Sequence, residues 1–356
     1  MMKTDDGIQF GRSIKVQIYG ESHAEKIGVK IAGIKEGLPI DRNTLDAFLA
    51  RRAPGKYPWS TPRKEADEPV FISGVSDGRT TGETIEAVIY NTNIKPADYK
   101  NIKRIPRPSH ADYPAWVKYG EIPSGGGRFS GRLTAALCIA GGLCKSWLAS
   151  EGISIKAHID RIGNVQDAPL GADSPVGEDF ATVSEEAAEE MKALIQEVRS
   201  AGDSIGGVIE CKVFGMPVGV GEPIFGSLEG MISQAVFAVP AVKGIEFGNG
   251  FEAAGMKGSE NNDPFRVQNG EVVTETNHHG GILGGLSSGM PIELKVAMKP
   301  TPSIGIPQKS VDLQAMENTE LVVNGRHDPC IVPRAVPCIE AAVAIAVYDA
   351  LAEWKS

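Results

Sequence analysis

Apolar and polar residues alternate along six short runs of the chain, at Ser13–Tyr19, Gly28–Ile34, Val70–Val75, Ile153–Ile159, Gly207–Phe214 and Pro291–Met298. Alternation gathers apolar side chains on one face of a strand, so these runs predict antiparallel sheets with the other face solvated or covered by helices. Between them the apolar spacing lengthens to the helical period, at Thr44–Arg52, Arg132–Ala149, Ser184–Arg199, Gly226–Val236 and Cys338–Glu353.

The predicted helices are of two kinds. In Ser184–Arg199, Ala187, Met191, Leu194 and Val198 recur on one side while Glu185, Glu186, Glu189, Glu190 and Glu197 fill the others, the pattern of a surface helix. Arg132–Ala149 and Cys338–Glu353 are apolar nearly all round and rich in Ala. Such helices need cover on several sides, which predicts a central helical layer enclosed by sheets. Lys145 interrupts the apolar stretch Leu133–Leu148, and Pro337, Glu340 and Asp349 interrupt Ala335–Leu351. Neither reaches the ~20 apolar residues that span a bilayer, so no membrane association is expected.

The chain of 356 residues is 42% hydrophobic and 23% charged, which excludes disordered and low-complexity classes. No segment reads as a linker and no fixed-period repeat is visible, so one domain is expected over residues 1–356. The formal charge of -9 argues against a general nucleic-acid binder, which needs a basic surface. Eight acidic and two basic residues between Asp173 and Arg199 account for -6 of it, leaving room for a local basic site elsewhere. Five cysteines, never spaced C-x-x-C and mostly within apolar runs, read as reduced core thiols of a cytosolic protein. The first twenty residues lack the apolar core of a signal peptide, so a cytoplasmic location is expected.

Glycine, histidine and arginine concentrate in five loop-like segments. Gly20-Glu21-Ser22-His23 follows a predicted strand, a rigid edge from which His23 acts either as a proton-transfer group or as a hydrogen-bonded structural side chain. Arg51, Arg52 and Lys56 at a helix end either grip an anion or complement the helix dipole. In Arg104–Asp112 the prolines hold Arg107 and His110 with little entropy left to lose on binding. Ser124–Thr134 is a glycine loop with two arginines and three hydroxyls entering a helix, which fits a polyanion but neither dinucleotide nor P-loop spacing. The fifth segment is discontinuous: Asn277–Gly285, Lys299–Ser303, Gly325–Pro329 and Arg334. His278, His279 and His327 have cationic neighbours that oppose a divalent ion, so no metal is expected. The cations exceed what one phosphate needs, which implies an anionic substrate beside an anionic cofactor, with Asp328 as a lone carboxylate available as base.

Eight collinear motifs, GESHAEKIG, RPSHADY, GGGRFSGRLTA, GDSIGG, AVKGIEFGNGF, NHHGGILGGLSSG, KPTPSI and GRHDPC, resemble the chorismate synthase family from about Phe10 to Glu353. The resemblance implies an α+β fold, a single domain with central helices sandwiched between antiparallel β-sheets, assembled as a homotetramer. It implies an anti 1,4-elimination of phosphate from 5-enolpyruvylshikimate 3-phosphate to give chorismate, with reduced FMN and no net redox change. By motif position, His23 is the expected acid toward phosphate, His110 controls flavin protonation and Asp328 assists as base. Ser22, Arg52, Arg107, Arg132 and Arg334 are expected on the substrate. Arg128, Phe129, Ser130, Ala241, Asn277, Gly284, Lys299, Thr301, Ser303 and Arg326 are expected on FMN. The chain departs from the family pattern with Ser109 in place of Gly, Gly131 in place of Ala, and Pro58 in place of a basic residue. Some members reduce their own flavin with NADPH; without a long insertion, this chain is expected to rely on supplied reduced FMN. The competing readings are a non-catalytic phosphate-binding module and an NADPH-dependent flavin reductase.

Overall fold

The computed structural model describes residues 8–55, 60, 67–91, 103–323 and 328–355. Seven helices are described: α1 (Arg42–Arg52), α2 (Asp112–Tyr119), α3 (Thr134–Ser150), α4 (Glu185–Ser200), α5 (Leu228–Phe237), the single-turn α6 (Gly258–Asn261) and α7 (Val332–Trp354). Their starts follow local chemistry. Asp41 caps α1 through the Thr44 amide at 3.1 Å, Ser184 caps α4 through Ala187, and Ser227 caps α5 through Gly230. α7 begins six residues before the predicted start, because Pro333 falls in its first turn and Pro337 forfeits only the bond to the carbonyl of Pro333.

Two five-stranded sheets enclose α3 and α7, and every strand pairing in them is antiparallel. The first runs Ile8–Phe10, Lys15–Gly20, Lys26–Ala32, Ile85–Tyr90, Val70–Ser73 in spatial order. The second runs Val242–Phe247, Ile292–Met298, Gly207–Phe214, Ser154–Ile162, Val165–Gln166. All six predicted strands contribute to these sheets with ends shifted by up to three residues; the sixth, Val70–Val75, divides at Gly74, so that Val70–Ser73 alone joins the first sheet. Ile85–Tyr90 carries no alternation to read, because Ala87, Val88 and Ile89 are all buried between neighbours.

α3 lies against the first sheet and α7 against the second, and the two helices pack on each other along their length. This is the expected sandwich. Pairs at Cys138 and Cys338, at Gly141 and Ala341, and at Trp147 and Tyr348 show that they run in the same direction. A Cβ added to Gly141 would meet the Cβ of Ala341 at 2.2 Å, so glycine is what lets the backbones approach. The main cluster of buried side chains extends from Ile14 to Leu351, and a small second one gathers Ile122, Leu321 and Val323. Gly131–Ser150 and α7 are long and apolar enough to cross a membrane, but 78% and 89% of their apolar windows are buried inside the fold. They are core helices.

Candidate active site

The end of α1, the segment before α2, the glycine turn before α3, the end of α5 with residues 238–241, residues 299–303 and the start of α7 converge on one cavity of about 650 Å³. Of the residues predicted on the substrate, Arg52, Arg107, Arg132 and Arg334 line it. Of those predicted on FMN, Arg128, Phe129, Ser130, Ala241, Lys299, Thr301 and Ser303 line it as well. His110 and Asp328 complete the wall. A second cavity of about 540 Å³, beside Arg12, Phe225 and Asp349, holds none of the predicted residues.

The glycine turn has a conformation only glycine adopts easily, with φ of 61°, 86° and 50° at Gly125, Gly126 and Gly127. A Cβ at Gly125 would fall 1.9 Å from Cε1 of His23, so the imidazole packs directly on the turn. Ser22 Oγ lies 3.0 Å from His23 Nδ1 and 3.1 Å from the Gly125 carbonyl. Ser22 and His23 therefore stand behind the turn, one backbone layer from the cavity.

The cations are not the free set that the sequence led us to expect. Asp67 hydrogen bonds both Arg52 and Arg132, and all three side chains are buried. Arg107 grips Asp112 with Nε and Nη2 at 2.8 and 2.9 Å, and its Nη1 reaches Ser303 Oγ at 3.2 Å. Asp328, expected as a lone carboxylate, lies 2.5 Å from Arg334 Nη1. The reason is desolvation: a guanidinium taken out of water requires a counter-charge inside the protein. Burial opposes ionisation of Asp67 and Asp112, but Arg52 and Arg132 outweigh it at Asp67, and hydrogen bonds from Arg107 and His110 at Asp112, so both carboxyls titrate below the usual range.

His110 Nδ1 lies 2.5 Å from Asp112 Oδ1 and 3.1 Å from Arg107 Nη2, so that nitrogen is held within the Arg107–Asp112 pair. Lys299 donates to the carbonyl of Ser109, and burial, with the charge of Lys243, holds its ammonium pKa below the ordinary value. Ser109 has φ of 58°, so this departure from the family pattern sits in the backbone region that favours glycine. Buried Arg128 Nε and Thr301 Oγ1 have no hydrogen-bond partner among the described residues.

Asn277 and Gly284 lie outside this cavity in the single chain. Asn277 instead bonds the Pro291 carbonyl at 2.9 Å and the Gly281 amide at 3.0 Å, fixing a turn. Arg326, His327, Lys56 and Pro58 fall outside the described residues. Both nitrogens of His279 are engaged, by Asp263 and by Ser288 at 2.9 Å. Among the described residues, one buried group has metal-like composition, His158 with Asp160 and Glu210, on the outer face of the second sheet. His158 is already held by Asp167 at 2.8 Å and Glu210 at 2.9 Å, and Lys295 lies 3.1 Å from Asp160. Asp67 and Asp112 are the site residues that sequence reasoning left without a role.

A helical layer between antiparallel sheets, opening on a cavity of paired guanidinia with an imidazole and carboxylates in its wall, defines an α+β enzyme for a small ligand of several negative charges. The family model for chorismate synthase matches residues 14–352. Chorismate synthase of Lancefieldella parvula is 47% identical over 98% of this chain and 97% of its own, and that of Thermococcus kodakarensis 43% identical over 96% of each. A crystal structure of a chorismate synthase superposes with a TM-score of 0.74 at 29% identity, covering 97% of this chain and 93% of the other. The chain belongs to the chorismate synthase family, carbon–oxygen lyases that eliminate phosphate from 5-enolpyruvylshikimate 3-phosphate to give chorismate, in the shikimate pathway to aromatic amino acids.

Proposed function

We propose that the cavity of about 650 Å³ holds 5-enolpyruvylshikimate 3-phosphate and reduced FMN side by side. The observation that supports this reading is the wall itself: four arginines, each beside a carboxylate, next to two buried donors, Arg128 Nε and Thr301 Oγ1, that make no hydrogen bond among the described residues. Arg52, Arg107, Arg132 and Arg334 hold the substrate's carboxylates and phosphate, while Arg128, Ser130, Lys299, Thr301 and Ser303 hold FMN, with Phe129 and Ala241 against it. The fit to an anionic cofactor rests on Arg128 Nε and Thr301 Oγ1, donors that a phosphate or flavin oxygen would satisfy. Reduced FMN, when bound, supplies electron density that is returned by the end of each turnover.

The protein's own groups handle protons and charge. The Asp112 carboxylate orients the His110 ring through Nδ1, so that Nε2 is the nitrogen that would give or take the proton controlling the flavin's ionisation. Asp328, oriented by Arg334, assists removal of the ring hydrogen. His23, with Ser22 on its Nδ1, is the acid toward the departing phosphate once the glycine turn on which it packs gives it access to the substrate. The guanidinia offset the charge that develops on phosphate as it leaves. The chain works as one cytosolic domain and assembles as a homotetramer, with flavin reduced elsewhere rather than by NADPH on the protein itself.

Anaerobic turnover of 5-enolpyruvylshikimate 3-phosphate with dithionite-reduced FMN, following phosphate and chorismate together, tests the reading. Matched appearance of both is expected, with His110→Ala slower by about 100-fold or more at saturation. FMN binding without either product would overturn the catalytic assignments, and NADPH-dependent flavin reduction by pure protein would overturn the reliance on supplied cofactor.

A further inference from the structure

Cys138 on α3 and Cys338 on α7 are buried thiols whose Sγ atoms lie 3.9 Å apart. Their proximity follows from the close approach of the two helices at Gly141 and Ala341, which lies three residues, about one helical turn, beyond each cysteine. Cys338 also borders the cavity, beside Arg52, Thr134 and Arg334, whereas Cys144, Cys211 and Cys330 do not. We propose that Cys138 and Cys338 form a peroxide-oxidisable dithiol in the cavity wall, a modification site separate from the elimination chemistry.

The two sulfurs are prepared for different parts. A hydrogen bond from Cys138, with the charges of Arg52 and Arg334, outweighs burial and brings the Cys338 thiol down to about 7. Burial, and the donation of that hydrogen bond, push Cys138 well above its ordinary value. Cys338 is the attacking thiolate and Cys138 the resolving thiol. The thiolate attacks one oxygen of hydrogen peroxide, the O–O bond breaks, and Cys338 becomes a sulfenic acid while the departing hydroxide takes up the proton that Cys338 released. Cys138 then attacks the sulfenic sulfur; the S–S bond forms, the S–O bond breaks, and hydroxide leaves as water with the Cys138 proton. Two thiols lose two electrons and two protons, and peroxide is reduced to two waters. Closing the sulfur separation from 3.9 Å to about 2.0 Å draws Cys338 toward α3 and removes a negative charge from beside Arg52 and Arg334. Turnover is expected to fall until a dithiol reductant restores it.

The test uses the full chain, hydrogen peroxide and mass spectrometry of non-reduced digests, so its main readout needs no turnover. Expected in the wild type are loss of two hydrogens from the intact mass and a Cys138–Cys338 cross-link, both reversed by dithiothreitol. Cys138→Ala converts the same treatment into addition of two oxygens at Cys338, a sulfinic acid that dithiothreitol does not reverse. Three results would overturn the proposal: peroxide reacting first at Cys144, Cys211 or Cys330, overoxidation of Cys338 in the wild type without a cross-link, or an untouched wild type under conditions that oxidise a free cysteine in the same tube.

Discussion

Two buried ionic clusters stand on opposite accounts in this molecule. In the knot on the second sheet, His158 uses both ring nitrogens on Asp167 and Glu210, Asp167 also accepts the Val183 and Ser184 amides at 2.7 and 2.9 Å, and Lys212 and Lys295 face Glu210 and Asp160. The cavity wall is also rich in buried charge, yet among the described residues Arg128 Nε and Thr301 Oγ1 make no hydrogen bond, Arg128 Nε having only Glu21 at 3.7 Å. It also carries backbone strain. Asp67, Ser109 and Ala241 have φ of 53°, 58° and 74°, while no residue of the knot has positive φ. Buried charge alone is thus a poor marker of a site. Open donors and strained backbone around that charge separate a place that awaits a ligand from a place that fastens the fold.

The contrast breaks most severely at Asp67. Asp67→Asn strips the shared counter-charge from Arg52 and Arg132 and is expected to destabilise the fold by about 3–5 kcal/mol in denaturant unfolding. Added inorganic phosphate should then raise the melting temperature more than it does in the wild type, because the anion replaces the missing charge. His158→Gln opens the knot instead. A loss of about 3 kcal/mol is expected, with the phosphate increment unchanged; a changed increment would show that the two clusters are coupled.

Acid and alkali sharpen the same comparison. Burial opposes the charge on His158, but Glu210 and Asp167 outweigh it and raise its pKa above the ordinary 6.5. The knot's contribution is therefore complete below 6.5 and is lost as pH rises through the higher folded-state value. The carboxyls run the other way. Asp67 and Asp112 are held below the ordinary 3.8, and Lys145 and Arg51 pull buried Glu340 from 4.5 to about 2, so their stabilisation is present above those ordinary values and drains as pH falls through the lowered ones. In unfolding measured against pH, His158→Gln should flatten the fall above 6.5. The smallest effect is expected from Ser109→Gly, which relieves a left-handed residue and should stabilise by about 1 kcal/mol in thermal unfolding.

Five of the seven described helices and six of the ten strands in the two sheets were legible because periodicity reports one-sided burial, and α3 and α7 announced their central place by being apolar all round; α2, α6 and the strands at Ile8–Phe10, Val165–Gln166 and Val242–Phe247 were not read. Ile85–Tyr90 was missed for the complementary reason, since burial across the strand erases alternation. The arginines, His110 and Asp328 were legible as a cluster of types unusual for loops. Asp67 was not: it is one acid among 45, and its partners lie 15 and 65 residues away. Asp112 was in plain view within RPSHADY, but its part depends on the chain folding back so that one carboxylate meets both Arg107 and His110.

α7 carries a consequence for how the molecule comes into being. It fills the space between the two sheets, and its Asp349 binds the Arg12 and Ile14 amides at 2.8 Å, across more than 330 residues. Every strand of both sheets is synthesised before α7. The growing chain must therefore hold the second sheet and the far side of α3 with apolar faces uncovered until α7 emerges from the ribosome, and the fold closes in a late step that brings Asp349 to Arg12 and Ile14.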